Sequence, residues 1–187
     1  MSLLHLITGG SRSGKSAYAQ SLAESIRSAG RTYVATCPVL DEEMRQRIER
    51  HRRDRQGRGW RTVEAPLALA RAVADAPAGH VVLVDCLTLW VNNLLYQSQQ
   101  GGGDLDEDEL ARLAGELAAA CRGRSEPVIL VTNEVGMSIV PENALARRYR
   151  DLVGRCNQVL AAAADEVTLV ACGCPLNLKA QNTKPNP

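Results

Sequence analysis

Apolar residues in this chain fall into short unbroken runs, separated by longer stretches where they recur at three- and four-residue spacing. Leu3–Thr8, Thr32–Ala35, Val81–Asp85, Val128–Thr132 and Val167–Ala171 read as strands. They are β-branched or aliphatic almost throughout and barely alternate, as in a parallel sheet covered on both faces. Between them the spacing predicts helices over Lys15–Ala29, Glu42–Gln56, Leu67–Ala76, Leu87–Gln100, Asp106–Arg122 and Glu142–Ala164. Strand–helix alternation at this interval implies an α/β fold, a mostly parallel sheet with helices on both faces. In such folds the loops at the C-terminal ends of the strands build the site. No internal repeat or linker divides the pattern, so one domain is expected over residues 1–179. The polar, proline-bearing stretch Ala180–Pro187 is expected to be a frayed tail.

Composition narrows the class. At 187 residues, with 45% hydrophobic and 23% charged positions, the chain is one globular unit of ordinary make-up. Phe is absent and the aromatics are Trp60, Trp90 and four Tyr, so the core must be aliphatic. No apolar run reaches the roughly 18 residues of a membrane span, and the N-terminus lacks a secretory pattern. A cytoplasmic location is expected. A net charge of +1 offers no overall attraction for nucleic acid, and a small-molecule partner is the expectation. The six cysteines show no CxxC spacing, and reduced structural thiols are the favoured reading over metal or redox use. The carboxylates Asp104 to Glu109 suit a helix start.

Directly after the first strand comes Gly9-Gly10-Ser11-Arg12-Ser13-Gly14-Lys15-Ser16, a full match to G-x-x-x-x-G-K-[ST]. Glycines let successive backbone N–H groups turn toward phosphate oxygens, and the following helix adds its positive end. Lys15 is placed to reach the β and γ phosphates and the Ser16 hydroxyl to ligate Mg²⁺. An acid at the end of a neighbouring apolar strand should complete the cation site, and Asp85 occupies that position. Metal coordination is one reading of Asp85; capping of the helix that follows Cys86 is the other. The chain has no N-K-x-D for guanine, and its size suits a small-molecule kinase or nucleotidyltransferase.

Eight arginines lie between Arg45 and Arg61, although the chain has only three lysines. Arg47, His51 and Arg55 share one helical face at i, i+4 spacing, bringing guanidinium forks and one imidazole together for a triphosphate. The plainer reading is a solvated helix with His51 packed at its base. His5 and His80, in the first strand and before the third, have weaker claims.

These elements, in this order, resemble the bifunctional adenosylcobinamide kinase/adenosylcobinamide-phosphate guanylyltransferase family of cobalamin biosynthesis. The resemblance runs from Gly9 to Lys179. It is carried by the glycine loop; Tyr33-Val34-Ala35-Thr36; Asp41-Glu42-Glu43-Met44 with Arg47-Ile48-x-x-His51; Trp60-Arg61-Thr62-Val63-Glu64; Val84-Asp85-Cys86-Leu87-Thr88 with Asn93-Leu94-Leu95; Thr132-Asn133-Glu134-Val135-Gly136 through Asn143; and Arg150-Asp151 with Gly154 and Asn157-Gln158. Cys174 departs from relatives, which tend to be apolar there. The resemblance implies a kinase step with ATP or GTP on adenosylcobinamide, then transfer of GMP from GTP to the phosphate through a guanylylated histidine, with pyrophosphate released. That histidine maps onto His51. Nucleotide contacts map onto Gly9 to Ser16, Ala35, Thr36, Cys37, Arg52, Arg53, Asp54, Arg55, Glu64 and Asp85. A homotrimer is also implied.

Overall fold

The computed structural model describes residues 3–37, 49, 53 and 55–180. Seven strands form one sheet: β1 Leu4–Thr8, β2 Gly30–Ala35, β3 Trp60–Glu64, β4 His80–Asp85, β5 Val128–Val131, β6 Glu166–Ala171 and β7 Cys174–Lys179. The order is β3-β2-β4-β5-β1-β6-β7, parallel except for β7, which returns antiparallel beside β6. Five helices are described: α1 Lys15–Ser25, α2 Leu69–Ala74, α3 Leu87–Gln100, α4 Glu107–Arg122 and α5 Ala144–Ala163.

The apolar runs without alternation are buried on both sides, as expected of central parallel strands. Residues of one parity, such as Leu4, Leu6, Val82, Val84 and Leu130, pack with α2 to α5 around Leu69, Trp90, Leu117, Leu152 and Leu160. Those of the other parity, Ile7, Leu83, Ile129 and Val131, pack with α1. Helices thus cover both faces unequally. The fully buried α1 residues at that contact are Ala19 and Ala23, whose small side chains let the helix sit close to the strands.

Several expected boundaries shift, for local reasons. Helix α1 stops at Ser25 rather than Ala29 because Arg31 turns back to the helix end. Its Nε donates to Ala23 O at 3.0 Å and its terminal nitrogen to Glu24 O at 2.9 Å. Helix α2 is shorter than Leu67–Ala76, and Arg124 takes up the carbonyls of Val73 and Ala76. Helix α5 begins at Ala144 rather than Glu142, where the Asn143 side chain accepts from Ala146 N–H. The two outer strands, β3 and β7, were not expected. Their residues are mostly polar or exposed, and β7 carries Pro175, tolerated at an edge where one side of the backbone has no ladder to complete.

The expected helix Glu42–Gln56 lies mostly outside the described residues, as do His51, Arg52 and Asp54; residues 49, 53 and 55 are helical. Of the expected tail, residues 181–187 lie outside them too.

Candidate active site: a phosphate loop facing the end of β4

Strand β1 ends at Thr8, and the chain then makes the glycine loop before α1 starts at Lys15. Close packing dictates two of the glycines. A Cβ on Gly9 would collide with the Val170 carbonyl and lie 2.6 Å from Ser13 Oγ. Gly14 has φ +93°, and a Cβ there would sit 3.2 Å from Gly173 Cα. The β6–β7 turn buttresses the loop, with Gly173 N–H donating to Ser13 O at 2.8 Å. On the other side Glu134 N–H donates to Gly9 O at 3.2 Å. Arg12 also takes a left-handed φ of 57°, and Ser11 and Arg12 are exposed at the loop's tip.

Lys15 is buried, and its Nζ donates to Gly10 O at 3.0 Å, holding the ammonium inside the loop. Ser16 is half-buried in the first turn of α1, and no acid stands there to oppose an incoming anion. Thr8 Oγ1 and Ser13 Oγ are buried without hydrogen-bond partners among the described residues, two polar atoms beside the loop that a bound ligand or water can satisfy.

Asp85 ends β4 at the same edge of the sheet. Its register partner on β5, Val131, also pairs with Ile7 of β1, so Asp85 stands level with the start of the loop, one strand intervening. The capping reading of Asp85 does not hold, for α3 is capped by Cys86 in extended conformation with no side-chain cap bond. Instead Tyr33 O–H donates to Asp85 Oδ2 at 3.2 Å. Burial pushes the Cys86 thiol up, as does the Asp85 charge, while the Lys15 ammonium opposes the shift. A hydroxyl and a carboxylate are hard oxygen donors suited to Mg²⁺. They are too few for an all-protein cage, so such a cation would also need phosphate oxygens and water.

Around Asp85 the other expected residues divide. Ala35 is its direct neighbour on β2, and Glu64 is Ala35's partner on β3. Thr36 is fully buried with its hydroxyl occupied: it accepts from Cys86 N–H at 2.9 Å and donates to Cys86 O at 2.7 Å. Its side chain therefore shapes the β2–β4 junction rather than facing a ligand. Cys37 is half-buried just beyond. Arg53 and Arg55 join Trp60, Thr62 and Glu64 around a cleft of about 630 Å³ on the β3 side. Arg55 is 4% exposed, its guanidinium 3.5 Å above the Tyr33 ring.

The other two histidines stand away from this edge. His80 opens β4 at the opposite end of the sheet, with Nδ1 3.1 Å from Thr32 Oγ1. His5 is buried between Glu166 and Thr168, and burial lowers its pKa. Sequence reasoning assigned no role to Tyr33, nor to the polar network beyond Asp85. There Asn133 donates to Thr88 Oγ1 at 2.8 Å, and Thr132 donates to Asn157 Oδ1 at 2.7 Å. A tyrosine in an aromatic-poor strand was the available signal; the network joins residues too distant in sequence to leave one.

A phosphate loop between strand and helix, with an acid level with it one strand away, defines a P-loop nucleotide-utilising protein. Comparison with known proteins then gives the family. The model of the cobinamide kinase / cobinamide phosphate guanyltransferase family matches residues 5–178, and this chain belongs to that family. It is 46% identical over 187 aligned positions to the bifunctional adenosylcobalamin biosynthesis protein CobU of Escherichia coli, covering 95% of this chain and all of that one. The Salmonella typhimurium protein of the same name is 43% identical at the same coverage. Pseudomonas aeruginosa CobP is 43% identical over 177 positions, covering 94% of this chain and 97% of that one. Among solved structures, a Pyrococcus horikoshii protein matches with a TM-score of 0.58 at 8% identity, covering 98% of this chain and 90% of that one, a likeness of fold alone.

Proposed function

We propose that this enzyme carries out both reactions of its family at the edge formed by the glycine loop and Asp85. In the first, the γ-phosphoryl group of ATP or GTP passes to the aminopropanol hydroxyl of adenosylcobinamide. In the second, the His51 imidazole displaces pyrophosphate from GTP, and the GMP so held passes to the corrinoid phosphate to give adenosylcobinamide-GDP. The observation that carries the reading is the buried Lys15 ammonium inside the glycine loop after β1, with Asp85 ending β4 at the same edge of the sheet, one strand away from β1.

Phosphoryl transfer demands positioning and charge neutralisation more than covalent help. Lys15 and the loop N–H groups would cradle the phosphates, with Ser16 and Asp85 as the residues to hold Mg²⁺. When bound, the cation would neutralise phosphate charge. Guanylyl transfer needs a nucleophile, and a neutral imidazole near pH 7 is competent. Its N–P bond breaks readily because nitrogen carries positive charge in the adduct. Arg52, Arg53, Asp54 and Arg55 follow His51 directly, and Ala35, Cys37 and Glu64 border the same edge; these belong to the nucleotide contacts of this reading, and Thr36, its side chain bonded to Cys86, would join them through its backbone alone. Assembly as a homotrimer and a cytoplasmic site of action belong to it as well. The exposed Met137, Ile139, Val140 and Leu145 support a contact surface on the segment after β5, and sedimentation would read the number of copies. No helix among the described residues is long and apolar enough to cross a membrane.

Incubation with GTP and adenosylcobinamide, followed by mass spectrometry of the corrinoid, tests the scheme. Successive gains of phosphate and then GMP are expected. Phosphate alone would reduce the enzyme to a kinase, and no gain would leave a nucleotide-binding protein.

A further inference from the structure

Tyr33 lies at the crossing of three features that sequence patterns leave separate. Its hydroxyl donates to Asp85 Oδ2 at 3.2 Å. Its ring carries the Arg55 guanidinium at 3.5 Å from the centroid. Its edge meets Trp60 at 6.2 Å between centroids and 80° between planes. Trp60 is itself held, its Nε1 donating to Glu24 Oε1 at 3.0 Å, so the ring rests on a partner anchored to α1. Arg55 is almost wholly buried, yet its Nε has no hydrogen-bond partner among the described residues. A buried guanidinium is costly unless something compensates it, and the tyrosine face supplies part of that compensation.

We infer that Tyr33 is a positioning residue for the nucleotide reactions, its ring seating Arg55 and its hydroxyl orienting the Asp85 carboxylate. A residue needed only to fill the core would do so equally well as Phe. The hydroxyl, however, is aimed at the acid that ends β4, one strand away from β1 and the glycine loop. The ring in turn ties that acid to Arg55, four residues after His51 in the chain. One side chain therefore couples the phosphate end of the sheet to the arginine-bearing segment. The inference rests on the assignment of Asp85 and His51 above, and its tests separate the two.

The variants Tyr33→Phe and Tyr33→Leu dissect the two contacts. Equilibrium binding of a fluorescent GTP analogue is measured with and without Mg²⁺, alongside the rate of protein labelling by GTP carrying a labelled α-phosphate. Tyr33→Phe keeps the ring. It should bind nucleotide normally without Mg²⁺ but need about tenfold more Mg²⁺ for the same tightening, the loss of one hydrogen bond to a charged group. Its labelling rate at fixed low Mg²⁺ should fall by a similar factor and recover at high Mg²⁺. Tyr33→Leu loses the seat as well, so its affinity should drop about tenfold even without Mg²⁺, with slow labelling at every Mg²⁺ concentration. Should Tyr33→Leu fail to fold, Arg55→Met removes the same stack from its other side and carries the same expectation. If Tyr33→Phe matches wild type in Mg²⁺ dependence and labelling, the hydroxyl positions nothing and the inference falls. If wild type takes no α-label at all, the histidine scheme fails, while the binding measurements still decide the role of Tyr33.

Discussion

At the scale of single residues, the proposed scheme divides the chemistry between Lys15 and His51. The ammonium is already held inside the loop by Gly10 O, and a phosphate oxygen would compete with that acceptor. Lys15→Ala removes a charge that both reactions would use in the proposed scheme, and each should slow by about 10²–10³-fold, read by single-turnover assays of phosphate and of GMP transfer. Normal GMP transfer in that variant would remove the loop from the second step. His51 should act in one reaction alone. GTP labelled on the α-phosphate should leave acid-labile, base-stable label on the wild-type protein, and γ-labelled GTP should leave none, because the γ-phosphate departs in pyrophosphate. His51→Ala should lose the label and GMP transfer together. Label persisting on a folded His51→Ala protein would defeat the assignment, and the buried His5 and the distant His80 make poor substitutes.

Among the elements, the short helix α2 depends on a side chain far away in sequence. Arg124 donates to Val73 O at 3.1 Å, Ala76 O at 2.8 Å, Pro77 O at 3.0 Å and His80 O at 3.0 Å, and pairs with Glu126 at 3.4 Å. One guanidinium thus ends α2 and begins β4. Arg124→Met should remove a donor from each of these carbonyls, leaving Val73 O and Pro77 O with backbone N–H partners alone, and lower stability by roughly 2–4 kcal/mol, seen as a reduced urea midpoint at unchanged slope. Arg124→Lys should restore only part of it, because an ammonium lacks the planar fork. An unchanged midpoint in Arg124→Met would mean that water replaces the guanidinium without loss.

At the scale of the whole molecule, the C-terminal edge is built by β7, whose six residues are all exposed. Exposure does not make it dispensable. Lys179 Nζ donates to Ala161 O at 3.1 Å, Ala162 O at 3.2 Å and Ala164 O at 2.5 Å, closing the end of α5. The same hairpin supports Ser13 in the glycine loop through Gly173. A chain ending at Ala180 should therefore keep the full-length Tm and nucleotide affinity. One ending at Gly173 should lose several degrees and aggregate, since β6 becomes an open, largely buried-type edge. Equal Tm for the two chains would show that β7 and the Lys179 cap contribute nothing.

How much of this was legible in the sequence follows from the range of the interactions. Central strands declare themselves because burial on both faces demands apolar side chains at every position, and Val81–Val84 or Val128–Val131 can be read directly. The glycine loop's motif is equally local, eight consecutive residues and the helix start behind them, although contacts with Val170 and Gly173 dictate two of its glycines. Edge strands leave no such mark. Trp60–Glu64 and Cys174–Lys179 are strands because a neighbour offers free backbone groups, not because their side chains require it. Helix ends such as Ser25 and Ala74 were set by Arg31 and Arg124, which reach them only after the chain has folded. The same holds at the site. Asp85 could be picked out as an acid closing an apolar strand, with metal coordination the favoured reading and helix capping the other. Tertiary packing set the capping reading aside by making Cys86 the cap of α3, and it placed the Tyr33 hydroxyl on the Asp85 carboxylate. Sequence determines what is enforced between neighbours in the chain; the pairings made across strands are settled only when the sheet brings those residues together.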